Sequence, residues 1–145
     1  MRNLLWLTVL LTTVLPVGAT VKNPMIRVCL VQAGQFFNLE SEGQEIQLCR
    51  FGLSFIGAET LQLYKSNQSV PMAVEAFYSA QSQDSATKEA CFLLGAKKIN
   101  VRGDQFGDFF VCQFPDNSIL DEKTLILGHG SRESQPLDFA LKERY

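Results

Sequence analysis

Four cysteines, Cys29, Cys49, Cys91 and Cys112, constrain this chain more than any other feature. They form two pairs of nearly equal spacing, 20 residues from Cys29 to Cys49 and 21 from Cys91 to Cys112. The residues around them repeat as well. Laying Cys29 on Cys91 lays Ala33-Gly34 on Gly95-Ala96, Phe37 on Ile99, Asn38 on Asn100 and Leu39 on Val101. After one inserted residue, Ile46 falls on Phe109, Leu48 on Val111, Cys49 on Cys112, Phe51 on Phe114, Ile56 on Ile119 and Glu59 on Glu122. Two cysteines align easily by chance, but an apolar pattern held in phase over about forty residues does not.

Four cysteines allow three disulfide pairings. If each copy is one module, the natural bridges are local, Cys29 with Cys49 and Cys91 with Cys112. A bridge closing a loop of this length removes unfolded-state entropy worth about 3 kcal/mol. A unit of forty-odd residues rarely holds together by burial alone, so such a staple is expected. The competing arrangement is one intertwined domain whose bridges cross between copies. A zinc site is disfavoured, because it calls for close cysteine pairs with histidine nearby, and the only histidine is His129.

Each copy shows the same local grammar. Asn23-Pro24 reads as a helix cap followed by proline at the first helical position, and Gly34 as the residue that stops the helix. In copy two Ser85 is the expected cap and Gly95 the stop. Alternating strands follow: Phe36 to Glu40 and Glu45 to Phe51 in copy one, Lys98 to Arg102 and Asp108 to Phe114 in copy two. On the second strand of each hairpin, Ile46 and Leu48, or Phe109 and Val111, share one face. Cys49 with Phe51, or Cys112 with Phe114, share the other. Pro115-Asp116-Asn117-Ser118 reads as a turn. A returning segment, Gly57 to Tyr64 or Asp121 to Leu127, closes each copy as helix or strand. Between the copies, Pro71 to Ala80 is expected to be helical, and Leu137, Ala140 and Leu141 recur at helical spacing near the C-terminus.

The N-terminus reads as an export signal. Arg2 precedes an uncharged, mostly apolar run from Leu4 to Leu15, and Val17-Gly18-Ala19 supplies small residues for cleavage before Thr20. A run of twelve residues is too short to span a bilayer, which takes about 20, and no later segment of the mature chain reads as a membrane span. Without Arg2 the 13 basic residues become 12 against 15 acidic ones, a net charge of −3. That balance, with no basic run, argues against nucleic acid as a partner. The expected organisation is an α+β chain of two tandem disulfide-stapled modules, each helix, β-hairpin and returning segment. Residues 1–19 are the signal peptide, 20–65 copy one, 66–84 a linker with a short helix, 85–128 copy two, and 129–145 a polar tail with a short helix. The compartment implied is periplasmic or extracellular.

No catalytic or metal constellation is expected, nor any cofactor. His129 stands beside Ser131, but residues so close in sequence seldom orient as nucleophile and base, and no nucleophile-elbow motif is present. Asp104, Asp108, Asp116 and Asp121 lie in or beside the copy-two loops without the spacing of a calcium loop, so turn-forming and capping roles are favoured. Glu59 and Glu122 suggest either paired acids or first-turn residues of the returning segment, the second being the simpler account.

Asn23-Pro24, Cys29 and Ala33-Gly34, together with Phe109-Phe110-Val111-Cys112-Gln113-Phe114-Pro115-Asp116-Asn117-Ser118 and Asp121-Glu122, resemble a small exported bacterial domain of unknown function found in proteins labelled haemolysins. The resemblance covers both copies and is stronger in copy two. Leu120 stands where that family has a further cysteine, and Gly128-His129-Gly130 where it has Gly-Glu-Cys, so both partners of its extra bridge are missing together. Lys123 replaces its tryptophan. The resemblance implies an exported, disulfide-closed fold, and its label implies a haemolysin-like toxin or an uncharacterised envelope enzyme. The chain carries no amphipathic cationic stretch of the kind that lyses membranes. The reading preferred from sequence is therefore a non-catalytic exported module that binds a protein or an envelope component.

Overall fold

A computed structural model describes residues 23–80 and 89–142. The signal segment and the Ser85 cap lie outside the described residues. The first half runs α1 (Pro24–Val31), β1 (Gln35–Ser41), β2 (Gln44–Phe51), β3 (Ser54–Gly57) and α2 (Ala58–Lys65). A middle helix, α3 (Met72–Ser79), leads to α4 (Ala90–Leu93), β4 (Lys97–Val101), β5 (Phe109–Gln113), β6 (Ile119–Asp121) and α5 (Glu122–Leu127). Helix α6 (Gln135–Lys142) follows. The chain is α+β, and its two disulfides join Cys29 to Cys49 and Cys91 to Cys112, with Cα atoms 5.3 and 5.0 Å apart.

The termini of α1 follow from its sequence. Asn23 accepts the Met25 N–H at 2.9 Å, and Pro24 sits where no amide partner is needed. The helix stops one residue before the expected glycine, at Ala33, whose φ is 60°. The Gly34 amide then bonds back to the Cys29 carbonyl. Gly34 is glycine for another reason: a Cβ there would lie 2.6 Å from the Phe51 ring. In the second half the glycine does take the left-handed position, at Gly95, and Ala96 makes the equivalent bond to Cys91.

All six strands form one antiparallel sheet in the order β1-β2-β3-β6-β5-β4. The expected two-stranded hairpins are each extended by a third strand, and these third strands join the halves through Ile56 opposite Leu120. Strands of four and three residues, each between a turn and a helix, are too short to show a period in sequence. The registers of the halves correspond: Cys49 lies opposite Phe36 and Ile56, and Cys112 opposite Lys98 and Leu120. Ile56 therefore corresponds to Leu120, not to Ile119, because β2 and β3 turn through Gly52-Leu53 and β5 and β6 through the longer Pro115-Asp116-Asn117. Glu59 then corresponds to Lys123, and the sequence match of Glu59 to Glu122 is lost.

The sheet curls until its edge strands meet, with the Arg102 amide on the Glu40 carbonyl and the Ser41 hydroxyl on the Asn100 carbonyl at 2.5 Å. Its concave face holds Leu48, Phe55, Ile99, Val101 and Val111. The other face carries the disulfides, Phe51, Ile56, Phe114 and Leu120, under a helical layer that draws on both halves. Two segments expected to be polar connections belong to that layer. Helix α3, within 66–84, buries Ala73, Val74 and Phe77, and α6, within 129–145, buries Leu137, Ala140 and Leu141. The turn expected at Pro115 to Ser118 holds α3 in place: Asp116 accepts the Met72 amide at 2.7 Å, and the Ser118 hydroxyl accepts the Ala73 amide at 2.9 Å.

Candidate functional site

The two ends of the curled sheet are built from corresponding positions and finish differently. In the second half, pairing stops at Val101 opposite Phe109. The loop 102–108 then folds Phe106 inward over Gly103, whose Cβ, if present, would collide with the ring. The Phe106 ring centroid lies 5.1 Å from Phe37, 5.1 Å from Phe55 and 5.8 Å from Phe109. Arg50 places its guanidinium 5.5 Å from the Phe106 centroid and 5.7 Å from that of Phe55. Its Nε–H donates to the Gly52 carbonyl at 2.8 Å. Aromatic rings under a cation fill the middle of this end, and a cleft of about 500 Å³ remains beside them, between Phe37, Leu39 and Glu40 and the loop residues Arg102, Asp104 and Phe106.

At the other end the hairpin continues to Ser41 opposite Gln44 and turns through Glu42-Gly43, both at positive φ. No loop folds inward. By register, Phe37, Phe55, Phe109 and Arg50 correspond to Ile99, Ile119, Ile46 and Gln113. These four smaller side chains line a notch of about 320 Å³. Its rim carries carboxamides such as Gln44, Gln47 and Asn117 and the carboxylates Glu45 and Glu59.

The seam beneath the ends is also unequal. Asp121 is buried, accepting the Phe55 amide at 2.7 Å through one oxygen and the Thr124 amide at 2.9 Å through the other. It thus caps α5 and ties the halves together. Burial pushes its carboxyl up to about 6, against the pull of the hydrogen bonds from Thr124 and Phe55. The corresponding residue in the first half is Gly57. There the Thr60 hydroxyl takes over, accepting the Ile119 amide at 2.9 Å. A Cβ on Gly57 would come within 2.7 Å of that hydroxyl oxygen.

The residues singled out by sequence do not converge. His129 is exposed, its ring 5.5 Å from Tyr78 and 6.2 Å from Phe77, while the Ser131 hydroxyl pairs with that of Ser134 at 2.6 Å. Glu59 is exposed, whereas Glu122 is buried and paired with Lys98 at 2.7 Å. Asp104 and Asp108 are exposed on the loop, and Asp116 and Asp121 are turn and capping residues. Burial raises the Asp116 carboxyl, but hydrogen bonds from Met72 and Ser118 outweigh it and hold the group below its ordinary value. Among the described residues no three of His, Cys, Asp or Glu gather as for a metal, and no helix is long and apolar enough to cross a membrane. The notch and Phe106 were missed in sequence. The only signal was that an aromatic residue stands between Gly103 and Gly107 in one loop, where the matching turn has none. Comparison with protein-family models, curated proteins and solved structures returned no match.

Proposed function

We propose that this chain is an exported, non-catalytic module that binds a protein or an envelope component, assembled from two tandem copies of one disulfide-stapled α+β unit. The resemblance to the exported domain of haemolysin-labelled proteins belongs to the same proposal. The observation that carries it is the notch, an open, preformed concavity at positions that the other half fills with its own Phe106. Both bridges lie within their halves, which suits a duplicated unit in an oxidising compartment. Each half also exposes apolar residues directly after its helix cysteine: Leu30 and Val31 at 51% and 53%, Phe92 and Leu93 at 78% and 60%. Exposed apolar residues at matching places suit contact with a partner surface.

The test places a photo-crosslinking residue at Gln47, on the notch rim, and a control at Ser79 on α3, in the chain as secreted by its own cell. Specific adducts at position 47 and not at 79 are the expected result. Dye release from vesicles by the purified chain, with no adduct at the notch, would move the assignment to the toxin reading.

A further inference from the structure

We infer that the notch receives an apolar side chain presented by an extended, basic segment of a partner protein, as the opposite end receives Phe106. This rests on the binding reading above and names the occupant. Three observations carry it. First, the four side chains around Phe106 are Phe37, Phe55, Phe109 and Arg50. Their counterparts Ile99, Ile119, Ile46 and Gln113 all line the notch, so the notch is the same receptacle with smaller walls and, among the described residues, no internal occupant. Second, β2 is paired along its whole length with β1, but its partner on the other side begins only at Leu48 opposite Gly57. Residues Gln44 to Gln47 thus present an unpaired strand edge along the notch, and an extended chain can hydrogen-bond there while its side chains alternate into the pocket. Third, the charge is complementary to bases. Where the plugged end has Arg50, the notch has neutral Gln113. Among the described residues the charged ones lining it are Glu45 and Glu59, and no Lys or Arg does so. Acidic flanks are repelled and basic ones attracted.

The experiment titrates the isotopically labelled mature chain with three N-acetylated, C-amidated tripeptides, Lys-Phe-Lys, Lys-Ala-Lys and Glu-Phe-Glu, and follows amide shifts. Lys-Phe-Lys is expected to move Gln44 to Gln47 and Gly57. Lys-Ala-Lys should bind about tenfold more weakly for want of the buried ring. Glu-Phe-Glu should bind about three- to tenfold more weakly, the range for two exposed ion pairs. The double variant E45K/E59K, altered only at exposed positions, should reverse the charge preference. Equal affinity for all three peptides, shifts lying outside the notch, or no shift at saturating peptide would overturn the inference. So would a crosslink from position 47 to a glycan, and in that case the binding reading itself would stand.

Discussion

The two halves follow the same order of elements from their cysteine helices onward and are finished in opposite ways. Each has a helix cysteine bridged to its second strand, a third strand at the seam and a helix turning back. The second half satisfies itself: Asp121 caps α5, and Phe106 fills the end of the sheet. The first half stops short at both places. Gly57 has no side chain to cap α2, and a two-residue turn leaves Ile46, Ile99 and Ile119 facing an open notch. The central contact between the halves is alike on both sides, since Ile56 and Leu120 are both fully buried, but the bonds flanking it differ, Asp121 holding the Phe55 amide and Thr60 the Ile119 amide. Equivalent scaffolding can thus carry one end committed to packing and one end free for recognition.

The first way to break this comparison is to remove the bridges one pair at a time. Each closes a loop of similar length, 20 or 21 residues, so the double variants C29A/C49A and C91A/C112A should each lose about 3 kcal/mol of unfolding free energy. Because the halves share one sheet and one helix-side core, each variant should still melt in a single transition by both near- and far-ultraviolet dichroism. A two-step melt would show that the halves are energetically separate. Losses differing by several kcal/mol would show that the second half's extra packing makes its bridge redundant.

The bridge pairing was legible because cysteine spacing and apolar phase are carried by residue identity alone. The faces of β2 and β5 were legible for the same reason, with Ile46 and Leu48 on one side and Cys49 and Phe51 on the other. The seam was not. β3 and β6 were not assigned, apart from Gly57 and Asp121 at the start of a returning helix or strand, since four residues and three have too little length for alternation to show. The one-residue difference between the turns that precede them shifted the match to Ile119 when the structure pairs Leu120. The helix Met72 to Ser79 and the apolar side that carries Val74 and Phe77 were legible, but the place where that side docks was not. Its docking depends on Asp116 and Ser118, more than forty residues downstream, and nothing local reports a contact of that range. The notch was illegible because it is defined by what the first half lacks.

A second and somewhat smaller effect distinguishes the seams by pH. Asp121 ionises at about 6 in the folded chain, against 3.8 ordinarily, and Thr60 at the other seam does not ionise at all. A carboxyl with a raised folded value holds its proton in the native state after the unfolded chain has released it. Its contribution is therefore fully present below about pH 4, declines as pH rises to about 6, and is constant above. A shift of this size corresponds to about 3 kcal/mol at most. Asp116, held low, acts in the opposite sense and below this window. Denaturant midpoints measured from pH 4 to 7 should fall in the wild type and flatten in Asp121→Asn, which keeps an acceptor for one of the two amides. A decline of the same size in both proteins would assign it to some other group and leave the seams alike in their pH response.

The smallest expected effect is the most direct test of the comparison, because it turns the closed end into an open one. The Phe106 side chain is half-buried, so Phe106→Ala should cost about 2 kcal/mol, less than for a fully buried ring. Arg50 keeps its bond to the Gly52 carbonyl and its place over Phe55, so the surrounding walls stay in position. The variant then presents a second receptacle, walled by Phe37, Phe55 and Phe109 and carrying Arg50 at the place of the native notch's Gln113, with Glu40, Arg102 and Asp104 on the adjoining cleft. A phenylalanine-bearing peptide should bind the variant at two places and the wild type at one. The new place should favour Glu-Phe-Glu over Lys-Phe-Lys, the reverse of the native notch, since Arg50 replaces Gln113 at the corresponding position. Calorimetric titration with each peptide reads both stoichiometry and preference. One site in the variant, with its affinity unchanged, would mean that the aromatic walls collapse without Phe106. In that event the smaller walls of the first half, and not merely its missing loop, are what keep the notch open.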